Sequence, residues 1–232
     1  MRVAGIDGCP GGWVVVEVAA SGPPQPTAWL LPNLADLREA ILGGRIALAA
    51  IDMPIGLPPN GSRPCDLAAR ALLGSRRSTV FAAPPRACLD HIGDWPAALA
   101  AARDAHGGKG ISKQAFHLLA RIAQAEALTR EVGTGRLVES HPELALARLA
   151  GHALASKHKT EGREQRRRAL RNGFVDPDRI HGPAPRAGIR AKPDDLLDAL
   201  ALGATARRLF AGEAVLLGGE PDGTGLTMTV AY

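Results

Sequence analysis

Apolar residues in this chain fall into short blocks whose period changes from one block to the next. Val3 to Asp7 and Trp13 to Ala19 are apolar, β-branched segments joined by the turn GCPGG, which predicts a hairpin with a glycine-rich connection. A third short strand is predicted over Thr27 to Leu31, after the proline-rich turn SGPPQP. The amphipathic stretch from Leu34 to Leu42 closes on Gly43 and Gly44, as a short helix with a glycine stop does. Ile46 to Ile51 is a continuous apolar run, the pattern of a strand buried on both faces of a partly parallel sheet.

From about Pro54 to Gly110 short helical patterns such as CDLAARALLG alternate with loops rich in Pro, Gly and Arg, and no strand period emerges. This stretch reads as an insertion. A long helix is predicted from Lys113 to Val132, because Phe116, Leu119, Ile122, Ala123, Ala127 and Leu128 fall on one broad face. Arg136 to Glu139 reads as a short strand and Pro142 to Leu149 as a helix. Asp194 to Phe210 is the clearest late helix, with Pro193 just before its acidic first turn and Gly212 just past its end. A terminal hairpin would pair Ala214–Leu217 with Leu226–Val230. Three antiparallel strands, a helix, a parallel strand, a helix, another strand and a final helix make the ribonuclease H-like order. The expected fold is therefore α/β, a mixed central sheet flanked by helices, with a helical insertion after the fourth strand. A single domain over residues 1–232 is expected, with the insertion at roughly 54–110.

At 232 residues and 46% hydrophobic content the chain can bury a sizeable core. No apolar run approaches the roughly 18 residues of a membrane span, and the N-terminus enters a strand with no leader pattern, so a cytoplasmic protein with no membrane partner is expected. Cys9, Cys65 and Cys88 lie far apart without a CxxC pair and read as reduced thiols. The net charge of +5 permits an anionic partner, and its distribution says more than its total. Lys157, Lys159, Arg163, Arg166, Arg167, Arg168 and Arg171 concentrate it in KHKTEGREQRRRALR, a candidate patch for a polyanion. Glu161 and Glu164 interleave, so a solvated helix face fits the same run. With three Trp, one Tyr and four Phe, nucleic acid would be held by its phosphates more than by base stacking.

The acids carry the chemistry. Asp7 and Asp52 stand where apolar strands stop, and a carboxylate at the carboxyl end of a buried strand points into the crevice where sheet proteins bind ligands. Asp195 and Asp198, three residues apart, share one helix face, leaving Asp194 to cap the helix or meet its dipole. Glu139 ends the strand RLVE as a metal ligand or water-orienting group. In the ribonuclease H-like fold such positions converge on two divalent ions about 3.5–4 Å apart, which activate water and stabilise the leaving oxygen. Hard oxygen ligands select Mg²⁺ or Mn²⁺ over zinc. Each acid also has a plainer reading, Asp7 as a turn residue, Asp52 as a strand terminator and the helix acids as dipole-compatible. His141 is a proton shuttle or a cap, and Glu143 belongs to a first helical turn. Lys109, Lys113 and Gln114 sit where a helix start could meet a phosphate, although no P-loop pattern is present.

The segments VAGIDGCPGGWVVV, AAIDMPIGLP, RPCDLAARALLGSRRSTVFAAPPR, GKGISKQAF, VESHPELA and DDLLDALALGATA, in this order, resemble domain-of-unknown-function family 429, described as predicted ribonuclease H-like nucleases from their fold and acid placement. The resemblance spans nearly the whole chain. It implies a ribonuclease H-like core with Asp7, Asp52, Glu139, Asp195 and Asp198 at the site, and places Arg63, Asp66, Arg70 and Arg86 in matching motifs, where arginines pair structurally or reach a phosphate. The leading expectation is a Mg²⁺- or Mn²⁺-dependent nuclease acting on DNA or RNA. An actin-like small-molecule phosphotransferase or ATPase, and a nucleic-acid-binding protein without turnover, are the alternatives.

Overall fold

The computed structural model describes residues 1–232. In chain order it forms β1 (Arg2–Cys9), β2 (Gly12–Ala19), β3 (Thr27–Leu31), α1 (Arg38–Leu42), β4 (Ile46–Ile51), α2 (Pro64–Leu73), α3 (Trp95–Ala105) and α4 (Lys113–Val132). Then follow β5 (Leu137–Glu139), α5 (Pro142–Ala150), α6 (Thr160–Gly173), α7 (Pro193–Phe210), β6 (Leu216–Pro221) and β7 (Thr227–Ala231). Five strands make one sheet in the order β3-β2-β1-β4-β5. β1, β2 and β3 are antiparallel neighbours, whereas β4 runs parallel to β1 and β5 parallel to β4. This is the ribonuclease H-like arrangement, a mixed α/β sheet flanked by helices, with α2 and α3 inserted after the fourth strand.

Alternation along the strands sorts side chains onto two faces. Val3, Val14, Val16 and Ala50 join a core with Leu197, Leu200 and Leu202 of α7. Ala4, Ile6, Ala49, Ile51 and Leu137 join the opposite core, with Ile122, Ala125 and Leu128 of α4 and Ile41 of α1. The β1–β2 turn is only Pro10–Gly11, and Gly11 has φ 86°, a left-handed conformation that a side chain would strain. On the α7 face, a methyl group at Gly5 would lie 2.0 Å from the Ala199 carbonyl oxygen and 2.2 Å from the Gly203 nitrogen. α7 therefore rests directly on the β1 backbone.

The inserted α2 packs against the β6–β7 hairpin around a smaller core of Cys65, Ala69, Leu73, Val80, Leu144, Met228 and Val230. Most of the basic run is a helix, α6, that buries Gly162, Arg166, Ala169 and Leu170 on one side and leaves the rest partly or fully exposed. All three cysteines are buried and unpaired. No helix is long and apolar enough to cross a membrane.

Candidate active site

Register brings Asp7 and Asp52 together. Ile6 pairs with Ile51 across the parallel β1–β4 ladder, and the Asp52 N–H donates to the Ile6 carbonyl at 3.0 Å, so the two acids lie side by side at the carboxyl ends of adjacent strands. Because Ile6 and Ile51 face α4, the next residue on each strand turns toward α7. There Asp198, buried at 5% exposure on the second turn of α7, meets them. The close seat of α7 on Gly5, one residue from Ala199 in contact, sets this approach. The three carboxylates line a cavity of about 380 Å³ together with Lys157, His141, Glu143, Arg76, Arg121 and Phe81, among others.

Charge in this cavity is undercompensated. Burial drives the Asp7 carboxyl well above its ordinary range, with Asp52, Asp198 and Asp195 adding to the shift and Lys157 opposing it. Asp52 is pushed up to about 6, chiefly by burial, against the influence of His141. Asp198 is raised as well, by burial, although Lys157 pulls the other way. Asp7 Oδ1 accepts only the Gly8 N–H at 2.8 Å, and the Asp52 side chain accepts no hydrogen bond from the protein. The one close cation is Lys157, whose Nζ donates to Asp198 Oδ2 at 2.7 Å. Burial disfavours its charge, yet Asp198, Asp7 and Asp52 outweigh that and hold the ammonium above its usual range.

Around this floor the walls are polar and cationic. Gln114, Leu118 and Arg121 project from α4 at helical spacing. Arg121 donates to the Cys9 carbonyl at 2.5 Å and lies 5.4 Å from the centre of the Trp13 ring; Gly8 permits this, since a methyl there would meet the guanidinium at 2.3 Å. His141 Nε2 lies 3.2 Å from the Thr79 carbonyl. A carbonyl only accepts, so Nε2 carries a hydrogen, while Nδ1 is buried without a partner. Glu143 is drawn away by Arg166, which is 1% exposed, and by Arg76 at 3.3 Å.

Glu139 is placed differently. It shares its strand face with Leu137, on the α4 side of the sheet, and does not line the cavity. Arg63, 2% exposed, holds it with two hydrogen bonds of 2.6 and 2.7 Å and also pairs with Asp66. Burial works against the Arg63 charge, but Glu139 and Asp66 outweigh it and raise its pKa well above the ordinary value. Glu139 Oε2 further accepts the Ile55 N–H at 2.8 Å, and Arg63 donates to the Gly56 carbonyl at 3.3 Å. The pair thus clamps the loop that follows Asp52. Asp195 is also outside the cavity lining: its Oδ2 accepts the Lys192 N–H at 2.8 Å, so it is this acid, where Asp194 was expected, that caps α7.

Of the cations expected to hold phosphate, only Lys157 reaches the acids. Arg63 is sequestered, Arg70 donates to the Val80 carbonyl at 3.0 Å, and Arg86 joins Glu126 to Asp222. These contacts are internal to the protein and lie away from the three carboxylates. Lys109 borders a separate cavity, and Lys113 stacks 4.5 Å over Trp95. Lys159, just before α6, and Arg163 on it are exposed, with Arg163 donating to nearby carbonyls, and Arg167 pairs with Asp178. Arg76, Arg121 and Phe81 were not foreseen as site residues; the i, i+4, i+7 spacing of Gln114, Leu118 and Arg121 was the available signal for one wall.

The donor set suits a hard cation. No three acids, histidines or cysteines stand as a ready cation cage. Asp7, Asp52 and Asp198 nevertheless offer carboxylate oxygens that repel one another, with one Asp52 side chain unbonded and an ammonium already seated on Asp198. A divalent cation would relieve that repulsion, and oxygen-only ligation fits Mg²⁺ or Mn²⁺.

A family model described as "Protein of unknown function (DUF429)" matches residues 5–223. The Thermus thermophilus RuvC structure is similar to this chain at 17% identity and TM-score 0.34, over 92% of this chain and 98% of that one. No curated protein matches.

Proposed function

The chain belongs to the DUF429 family, and we propose that it is a metal-dependent phosphodiesterase hydrolysing nucleic acid. One observation carries this reading: three carboxylates, the buried Asp7 and Asp198 and the partly buried Asp52, meet at one cavity whose rim is cationic. Asp7, central to the cluster, and its two neighbours would hold Mg²⁺ or Mn²⁺. When bound, such an ion supplies Lewis-acid polarisation of a phosphoryl oxygen and a more acidic water.

The chain's own residues do the rest. Arg76 and Arg121 offer guanidinium groups to phosphate oxygens at the rim. Lys157 is a mobile-headed donor that neutralises the acids in their absence of metal and can turn to the substrate phosphate once they are neutralised. His141, anchored through its Nε2–H on the Thr79 carbonyl, lines the cavity next to Asp52 and adds a polar group to its wall. Glu139 and Arg63 keep the Asp52 loop in place rather than touching substrate. The exposed Lys159, just before α6, and Arg163 on it extend the positive surface beside Lys157 toward a longer polyanion.

The test is hydrolysis of DNA and RNA strands in Mn²⁺ by wild type and by Asp7→Asn. Loss of hydrolysis in a variant that melts no lower than wild type is expected; a fully active variant overturns the assignment.

A further inference from the structure

The shape of the cavity bears on what enters it. The inserted segment Arg76–Phe81 forms one wall, Lys157 and His158 a second, and Gln114 to Arg121 a third, all above the floor of Asp7, Asp52 and Asp198. Each wall is tied to the body of the protein. The inserted segment is held by Arg70 on the Val80 carbonyl at 3.0 Å, His141 on the Thr79 carbonyl at 3.2 Å, and Arg76 on Glu143 at 3.3 Å. Lys157 is held by Asp198 at 2.7 Å, and Arg121 by the Cys9 carbonyl at 2.5 Å. The cavity is open to solvent on one side, and its volume of about 380 Å³ lies at the small end of the roughly 300–1,000 Å³ found for small-molecule pockets. A duplex, whose major groove alone is about 12 Å wide, does not fit such a space. One nucleotide does.

The lining matches that occupant. Arg76, Arg121 and Lys157 supply positive charge for a phosphate, while the half-buried Phe81 ring and Leu118 supply apolar surface for a base. We propose that this cavity takes a single unpaired nucleotide of a nucleic-acid strand and excludes the paired one, with Arg76 and Phe81 of the insertion setting that selectivity; the proposal rests on the phosphodiesterase reading. A base held in a duplex would have to leave its stack first, and an already unpaired base avoids that cost.

Internally labelled DNA and RNA strands, each presented alone and annealed to its complement, test this in Mn²⁺. The lone strand should be cut at least about tenfold faster than the duplex, because the duplex must first surrender a base. Arg76→Ala combined with Phe81→Ala should shrink that ratio. Equal rates for paired and unpaired strands, or a ratio that the double variant leaves unchanged, overturn the selectivity while the phosphodiesterase reading survives. In parallel, a nucleoside 5′-monophosphate with Mn²⁺ should raise the melting temperature of wild type and not of Phe81→Ala. That rise without hydrolysis of any strand sinks the phosphodiesterase reading and supports the nucleotide cavity; no rise and no strand preference sinks the cavity assignment.

Discussion

Two acidic centres lie on neighbouring strands; burial raises the carboxyl pKa in both, Glu139 to about 7 and Asp52 to about 6, but they differ in the donors that meet their oxygens. At β5, Glu139 and Asp66 share the guanidinium of Arg63, and all four carboxylate oxygens have a donor. At the ends of β1 and β4, Asp7, Asp52 and Asp198 share one ammonium, and Asp52 has no donor at all. A buried ion network whose groups are all partnered rigidifies its surroundings, whereas one left short of partners keeps its charges in mutual repulsion. The sheet separates the two by parity: Glu139 faces α4 with Leu137, and Asp52 turns toward α7. Completing the first centre with Arg63 fixes the loop at Ile55 and Gly56, which in turn fixes Asp52 in the second.

The largest expected effect breaks the satisfied centre. Arg63→Met leaves two carboxylates buried without a partner and should cost about 3–5 kcal/mol, read from urea unfolding. A loss below about 1 kcal/mol would mean that Glu139 and Asp66 are not held as described. The unsatisfied centre should respond in the opposite direction. Asp7→Asn removes a carboxylate that its neighbours and burial oppose, so in metal-free buffer the melting temperature should rise, by roughly 2–4 °C if about 1 kcal/mol is recovered. With Mn²⁺ in excess the order should reverse, because wild type gains the ion and the variant does not.

The pH profile sharpens the contrast further. The folded-state pKa of Asp52 lies at about 6, above its ordinary 3.8, so the folded protein binds more protons than the unfolded chain in between. Its contribution therefore makes metal-free stability fall as pH rises from about 4 to about 6, and level off above that. Melting curves across that window should show this slope, reduced in Asp52→Asn; an identical slope in the variant assigns it to other groups. The smallest effect is that of Lys157→Met. Its ammonium is partly exposed, so the stability change should stay within about 1 kcal/mol, yet Mn²⁺ titrations of melting temperature should shift to lower concentration. A shift to higher concentration would make Lys157 a helper of metal binding rather than its competitor.

The strands, the long helices and the strand-end acids were legible because each is a local pattern: a β-branched run, an apolar face, a carboxylate where the run stops. Asp7, Asp52 and Asp198 could be placed by these alone. The partner of Glu139 could not, since Arg63 lies 76 residues earlier and no periodicity links them. The alternation in Leu137-Val138-Glu139 did contain a clue, as it puts Glu139 on the same face as a core leucine. The role of Asp195 was hidden for a related reason: i, i+3 spacing says that two acids share a face, and not that the first of them is already occupied by the helix's own N-terminal amide. In the basic run, α6 buries Arg166 at 1% exposure, and sequence charge alone does not distinguish that arginine from its solvated neighbours.

Gly5 gives the site a hidden point of failure. A single methyl group there would collide with the α7 backbone at Ala199 and Gly203, prising the helix from the sheet. Asp198 and the seat of Lys157 would move with it, while Asp7 and Asp52 stayed on their strands. Such a protein would keep every acid of the centre, its full charge and its composition, and lose only the spacing between them.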